Sequence, residues 1–537
     1  MAKSIRQSMA WLHSWIGLCV GWLLFCIFLF GSFSYYRQEI SAWMQPEYSQ
    51  VEVNQIQALT TGLEYLQQHA TGANRWFLDI AKPNQPINRM YWQKADQSYG
   101  FASIDPITGK EIVPLATQGG DFFYQFHFQL YAMPIVWGRT ICAGLAFLLL
   151  IILISGVITH KKIFKDFFTL RLYKSQRSWL DFHNVSAVIA LPFYLVMAYT
   201  GLMLVFYFFI PQGLNQAYGD HRTDYFEQIR EKQASKNATF TADKEILNLE
   251  SDSISNPKLN IPQIVGVVQK QWQDKIGLDS MTVNFKTLNL ADQTTLVSIT
   301  TTQDKTITLD ATALHLSQDG RHQLTDPKNH SAVGQLYYGI YGLHLARFAE
   351  PLTRVSLFFA GILGTLMIAS GLLLWSLKRE LQNKKQQFHL GHELVYRLNL
   401  TVLIGVPIAV VLYLYSNRIA TLSHWSVQNI EIPTFFLTIL CCGILNFLLK
   451  KHYLWRWNLG LFAILAFCLP IVNLVQLWRF AYLKTINDYV AFMAVDITLF
   501  LFGLLALYSM RYITVLQIRS SQYLVKKLNK KAPMGDC

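Results

Sequence analysis

Charged side chains are scarce: Asp, Glu, Lys and Arg make up 15% of the 537 residues, where an ordinary soluble domain carries about 25%. Hydrophobic residues reach 52% and aromatic residues 14%. That balance excludes a soluble enzyme of this size and leaves an integral membrane protein. Acidic residues are the rarer sign, 33 against 46 basic, for a net charge of +13. The lysines and arginines flank apolar runs instead of gathering on one polar segment, so the excess is read as membrane topology and no nucleic-acid partner is expected. Cysteine is thin as well. Cys19, Cys26, Cys142, Cys441, Cys442 and Cys468 lie in apolar runs, Cys537 ends the chain, and none forms a CxxC motif. This leaves no thiolate metal site or disulfide framework, and the cysteines read as small core hydrophobes. No GxGxxG, Walker loop, HExxH or GxSxG occurs, so no nicotinamide, nucleotide or hydrolytic site is identified.

Long apolar runs are abundant. A helix needs about 20 apolar residues to cross the hydrocarbon, and eight runs qualify: 15–36, 140–159, 185–210, 355–377, 398–415, 433–449, 458–477 and 489–510. The first follows Lys3 and Arg6 as a signal peptide would, but it is long enough to span and has no small-residue cleavage site, so a retained helix is expected. Basic clusters follow the second span (Lys161, Lys162, Lys165, Arg171, Lys174, Arg177), the fourth (Lys378, Arg379, Lys384, Lys385), the sixth (Lys450, Lys451, Arg456) and the eighth (Lys526, Lys527, Lys530, Lys531). The positive-inside rule puts these, with both termini, in the cytoplasm.

The resulting map is a first span within 1–36, an outer segment 37–138, a span 139–160, a basic loop 161–182, a span 183–210, an outer segment 211–354, a span 355–377, a loop 378–397, four further spans within 398–510, and a basic tail 511–537. Both outer segments are polar and patterned. The first predicts a helix over 55–69, strands near 76–81 and 90–93, and a strand over 100–104 running into the turn Asp105–Pro106–Ile107–Thr108–Gly109. The second repeats the order, with a helix over 262–272 and strands near 281–286, 295–301 and 307–310. Each reads as a small α+β module, and 232–257 as a flexible insertion in the second.

The halves are duplicated. His13 and Gly31 recur as His183 and Gly201, both 170 residues on; Arg139, Ser155 and Gly156 recur as Arg354, Ser370 and Gly371, all 215 residues on. The unit is span, outer module, span, twice in the same orientation, and parallel repeats are related by a pseudo-twofold axis along the membrane normal. A duplicated four-helix core is therefore expected. His13 and His183 are mates at the inner ends of their helices, and His127 and His344 sit just beyond the outer ends, two residues out of strict register. His160 has no mate, since Trp375 stands at its corresponding position.

Histidines at membrane helix ends are either interfacial anchors or ligands. Matched pairs on facing helices suit haem b, held by two imidazoles in a six-coordinate state fit for electron transfer. The inner pair is His13–His183, with His160 as substitute or neighbour, and the outer pair is His127–His344. Zinc competes weakly, because neither face has an i, i+4 His pair or a Cys set. Arg139 and Arg354 are matched cations suited either to a haem propionate or to marking the membrane boundary, and Arg171 and Arg177 offer the same inside. Asp496, inside the eighth span, is either a proton-path residue or a side chain that reaches water. His389 and His392 read as solvated loop residues, and His221, His315, His322 and His330 as surface residues of the second module.

Trp11–Leu12–His13–Ser14–Trp15–Ile16–Gly17–Leu18, Ile104 to Gly109, Ser155–Gly156 and Asp181–Phe182–His183–Asn184 occur in order. Over about residues 8–378 the chain thereby resembles the PepSY-associated transmembrane helix family, which includes bacterial inner-membrane ferric-siderophore reductases and iron-regulated membrane proteins. The resemblance implies a haem protein of the inner membrane with periplasmic PepSY modules and two haems b, passing electrons outward to reduce a ferric siderophore or other Fe(III) chelate. His13, His127, His183 and His344 fall on the family's recurrent histidine motifs, whereas His160 falls where many members carry another residue. Some relatives carry a fused flavin reductase domain; this chain has none, which leaves quinol or a separate reductase as donor. Two other classes stay open: a PepSY regulatory protein that binds a peptide or protease, and a transporter suggested by the parallel repeat.

Overall fold

The computed structural model describes residues 4–46, 53–82, 85–112, 117–160, 171, 176–209, 216, 258–272, 277–285, 296–301, 307, 313–317, 323–324, 332–346, 348–382, 387–423, 427–480 and 489–529. In chain order the elements are α1 (Ile5–Ser34), α2 (Arg37–Met44), α3 (Gln55–His69), β1 (Arg75–Asp79), β2 (Asn88–Gln93), β3 (Tyr99–Ile104), α4 (Asp121–Gln129) and α5 (Ile135–Thr159). Then come α6 (Gln176–Ile189), α7 (Leu191–Phe209), α8 (Ile261–Trp272), β4 (Leu278–Asn284), β5 (Leu296–Thr301), β6 (Ala313–Ser317), β7 (Gln323–Leu324) and α9 (Ala332–Leu345). The last are α10 (Pro351–Gln382), α11 (Leu390–Leu403), α12 (Gly405–Ser423), α13 (Val427–Leu448), α14 (Leu454–Arg479) and α15 (Val490–Asn529). They form two compact units: a helical one of Met1–Pro46, Ala116–Phe209 and Leu352–Cys537, and one containing a sheet, of Glu47–Leu115 and Ile210–Pro351.

In the helical unit, α1, α5, α10, the stretch Leu390–Ala420, Ile430–Leu448, α14 and Phe492–Ile513 are each long and apolar enough to cross a membrane, and α6 with α7 reaches that length only as a pair bent by 66°. The chain is thus a mainly helical multi-pass membrane protein. The expected unbroken third span is where structure and sequence part. Pro192, the second residue of α7, has no N–H to give Val188, and it disfavours helical geometry before it. The break at Ala190 is closed by the buried Tyr194, whose hydroxyl donates to the Ser186 carbonyl (3.1 Å). Pro407 starts α12 in the same way, after the interruption at Ile404. The start of α1 is set by a capping box, in which Ser4 Oγ accepts from the Gln7 amide (3.3 Å) and the Ser4 amide donates to Gln7 Oε1 (3.1 Å).

Helices of the core approach closely where side chains are small. A Cβ at Gly21 would lie 2.8 Å from Leu372, and one at Gly361 would lie 2.3 Å from Ser32 Oγ, which locks α1 against α10. Leu24, Leu145, Leu149, Leu153, Tyr194 and Met367 fill the space among α1, α5, α7 and α10.

The other unit holds one antiparallel sheet in the order β3-β2-β1-β4-β5-β6-β7. The two segments read from the pattern as separate modules share it: β1 pairs with β4 in the register Trp76↔Val283 and Leu78↔Met281. The architecture is a helix followed by a meander, twice, joined first strand to first strand. Alternation puts Trp76, Leu78, Met90, Ile104, Met281, Val283, Val297, Ile299, Leu314 and Leu316 in one core with α3 and α8. The expected helices are present at 55–69 and 261–272, and the strands near 76, 90, 100, 281 and 296 at β1 to β5. β6 and α9 were not legible. Of the expected strand at 307–310 only Ile307 is described, and residues 232–257 lie outside the described residues.

The Asp105–Gly109 turn follows from its chemistry. Asp105 Oδ1 accepts from the amides of Ile107 (2.9 Å) and Thr108 (2.7 Å), and Gly109 closes the turn with φ of 68°. Thr61 Oγ1, from α3, donates to the Pro106 carbonyl (2.8 Å) and fastens the turn to the helix.

Candidate functional site

His13 lies on α1, two turns in from its start. Its Nδ1 lies 2.9 Å from the Ile152 carbonyl oxygen of α5 and 3.4 Å from Ser155 Oγ, and a Cβ at Gly156 would lie 3.1 Å from its Cε1. His183, on α6, repeats each contact. Its Nδ1 lies 2.9 Å from the Met367 carbonyl oxygen of α10 and 3.2 Å from Ser370 Oγ, and a Cβ at Gly371 would lie 3.1 Å from its Cε1. Ile152 and Met367, Ser155 and Ser370, and Gly156 and Gly371 are all 215 residues apart, so the duplication extends to the setting of each ring. A carbonyl oxygen only accepts, so both histidines donate from Nδ1–H and each Nε2 keeps its lone pair.

The two ring centres lie 6.2 Å apart with planes inclined at 74°. Two neighbouring imidazoles with lone pairs on Nε2 are a donor set that a metal could take. Among the described residues no three His, Cys, Asp or Glu side chains converge on a metal position. The pair by itself offers a metal two protein ligands.

His127 lies on α4, a short helix the sequence did not reveal, and its Nδ1 donates to the Ile27 carbonyl (2.8 Å) of α1. It rests on Gly31, where a Cβ would lie 2.7 Å from its Cε1. His344 is near the end of α9 and belongs to the other unit. His160 caps the end of α5; its Nδ1 is buried and has no hydrogen-bond partner among the described residues. Arg139, in the first turns of α5, bonds Gln129 Oε1 (3.5 Å) and lies over the Phe128 ring (5.3 Å). Its mate Arg354 pairs with Glu39 and lies over Tyr36 (4.5 Å). Arg171 is held by Asp181, both of whose carboxylate oxygens accept from its guanidinium at 2.8 Å.

Three readings change. His392 is not a loop residue but lies in the first turn of α11, half-buried, with its ring 6.0 Å from that of Trp375; His389 is the exposed N-cap of the same helix. Asp496 does not reach water: it is 4% exposed and accepts from Trp43 Nε1 (3.0 Å), Asn473 Nδ2 (2.9 Å) and the Tyr489 hydroxyl (2.7 Å). Arg418 and Glu431, which the sequence placed outside the spans, are buried in the same end of the bundle. A signal existed, because Asn417–Arg418 and Glu431 bracket a short connection between two apolar runs. His315 has its backbone in β6, and His221, His322 and His330 lie outside the described residues.

Fold and site together define a polytopic membrane protein whose duplicated helical core presents two imidazoles to each other and which carries an antiparallel sheet unit. The chain belongs to the family described as the PepSY-associated TM region, which matches residues 10–378. The match ends before α11, so the last four spans lie outside it. No curated protein matches the chain.

Proposed function

We propose that the protein is a haem-containing oxidoreductase of the bacterial inner membrane, carrying electrons from the cytoplasmic side or the quinol pool to the periplasm, where they reduce a ferric siderophore or similar Fe(III) chelate. The observation that supports it best is the His13–His183 pair, with both Nδ1 atoms tied to carbonyls and ring centres 6.2 Å apart. Haem b bound there would supply a one-electron carrier in a six-coordinate state that excludes oxygen. The chain's own part is orientation. Ile152 and Met367 fix the tautomer and, with Ser155 and Ser370, the ring angle; such partners raise a ligand's basicity and hold it in place. The family resemblance of the sequence supports His127 and His344 as further candidate ligands, for a second haem.

Arg139 and its mate Arg354, which pairs with Glu39, are the candidates for a propionate. The basic clusters put both termini in the cytoplasm and residues 47–115 and 210–351 outside. One electron converts Fe(III) to Fe(II), which oxygen donors hold less tightly, so release of the metal needs no proton donor.

The test is the absorption spectrum of the purified full chain, oxidised and dithionite-reduced. A six-coordinate haem b spectrum is expected. His13→Ala or His183→Ala removes the inner haem, and His344→Ala removes about half of the α-band. A colourless preparation that still performed the native task would end this reading and favour a regulatory or transport role.

A further inference from the structure

The end of the helical unit opposite His13 holds a second cluster, built by α2 and α12 to α15. Arg418 is 1% exposed, Asn417, Glu431 and Asn473 are 0%, and Asp496 is 4%. The guanidinium touches neither acid in its assigned bonds; asparagines stand between. Arg418 donates to Asn473 Oδ1 (3.0 Å), and Asn473 Nδ2 donates to Asp496 (2.9 Å). On the other side Arg418 donates to Asn417 Oδ1 (2.9 Å), and Asn417 Nδ2 donates to Glu431 (2.9 Å). Arg418 also donates to the Trp43 carbonyl and lies 4.0 Å from the centre of its ring. Glu431 further accepts from Thr117 Oγ1 (2.7 and 2.8 Å) and the Gln118 amide (3.2 Å).

Counting charge is decisive. Among the described residues, two carboxylates stand against one guanidinium, which leaves one negative charge uncompensated in a buried site, and an uncompensated buried charge is expensive. The described charged groups nearby do not offset it. Arg37 pairs with Asp121 (3.0 Å), Arg354 pairs with Glu39, and Arg479 at the end of α14 is exposed. Tyr131 and Tyr413 face Glu431 and Tyr489 faces Asp496, all neutral as hydroxyls. One bound proton makes the cluster neutral. The bridging amides give it two places, Glu431 and Asp496, since a guanidinium that polarises each asparagine strengthens the bond to whichever acid is ionised. Tyr489 is half-buried and bonded to Asp496 at 2.7 Å, and so joins the cluster to its surroundings.

We propose that this cluster is a proton-exchange site: Glu431 and Asp496 share a single proton across Asn417, Arg418 and Asn473, and Tyr489 passes it to and from the outer end of the bundle. The four spans beyond the family match then bring a proton-binding function of their own, independent of whether the core holds haem.

Infrared spectroscopy of the full chain in lipid vesicles at roughly pH 8, where exposed carboxyls are ionised, tests it. The other buried acid in the described helical unit, Asp181, is balanced by Arg171. Wild type shows one protonated-carboxyl C=O band that shifts in D2O. Asp496→Asn and Glu431→Gln each abolish it, because the remaining acid then balances Arg418, and Arg418→Gln raises it to about twice its size. Tyr489→Phe slows its deuterium shift. Helix content and monodispersity matching wild type qualify each variant; should Arg418→Gln misfold, wild type and the two near-isosteric acid variants decide. Absence of the band in wild type, its survival in either acid variant, or an unchanged exchange rate in Tyr489→Phe overturns the proposal.

Discussion

At the scale of single residues, the histidines are defined by what their second nitrogen does. Nothing in the sequence around His13 says that Ile152, 139 positions away, will accept its proton. What was legible was the repeat, because His13 and His183 share an offset, as do Ser155 and Ser370. The carbonyls were not legible, since any residue type supplies one. The glycines under the rings give a sharp test. A methyl group at Gly31 would lie 2.7 Å from His127 Cε1, whereas one at Gly17 of the same helix meets nothing within 4 Å. Gly31→Ala should therefore displace the His127 ring and, on the proposed function, selectively weaken one of two haem signals, with Gly17→Ala as the silent control; equal spectra for both would remove His127 from the site. His160→Ala should leave the haem-to-protein ratio unchanged, because its matched position holds Trp375 and the duplicated core gives it no mate. Loss of the inner haem signal in that variant would make His160 a ligand after all.

At the scale of elements, length and hydropathy located all eight spans, but proline decided their shape. Pro192 divides the third span so that α6 carries Asp181, His183 and Ser186 while α7 carries an apolar face. The helix α4 escaped notice because Phe122, Phe123, Phe126 and Phe128 make its nine residues read as the approach to the next span. In the sheet unit the alternating pattern gave the strands, and the chemistry of Asp105 gave the turn. The order of strands across the sheet came only from three dimensions, since pairing between β1 and β4 joins residues about 200 apart. Trp76 is buried between strand and helix and its Nε1 donates to the Ala70 carbonyl (3.0 Å). Trp76→Ala should destabilise the sheet unit by about 3–5 kcal/mol, measurable as earlier proteolysis within 53–112. Gly109→Ala, at φ of 68°, should cost about 1 kcal/mol, and a stability equal to wild type would show that the turn relaxes.

At the scale of the whole molecule, the last four spans pack on the first helix rather than standing apart. Trp22 Nε1 of α1 donates to Asn399 of α11 (2.9 Å), and Phe25, Leu29, Phe30, Trp43, Phe122 and Phe123 share a core with α12, α13 and α14. The sequence could not foretell this, because an apolar helix face looks the same whether it meets lipid or protein. A chain ending after residue 386 retains His13, His183 and their partners, and should keep the inner haem band while losing it on heating at a lower temperature than the full chain. Identical melting would mean that the added spans contribute nothing to the core's stability.

The continuous sheet has a corollary. When a duplicated half pairs edge to edge with its twin, each copy hides the other's open strand, and either half expressed by itself would present bare amides and carbonyls to any extended peptide nearby. In this chain the β1–β4 seam closes that edge from within, so no second molecule is needed to cover it.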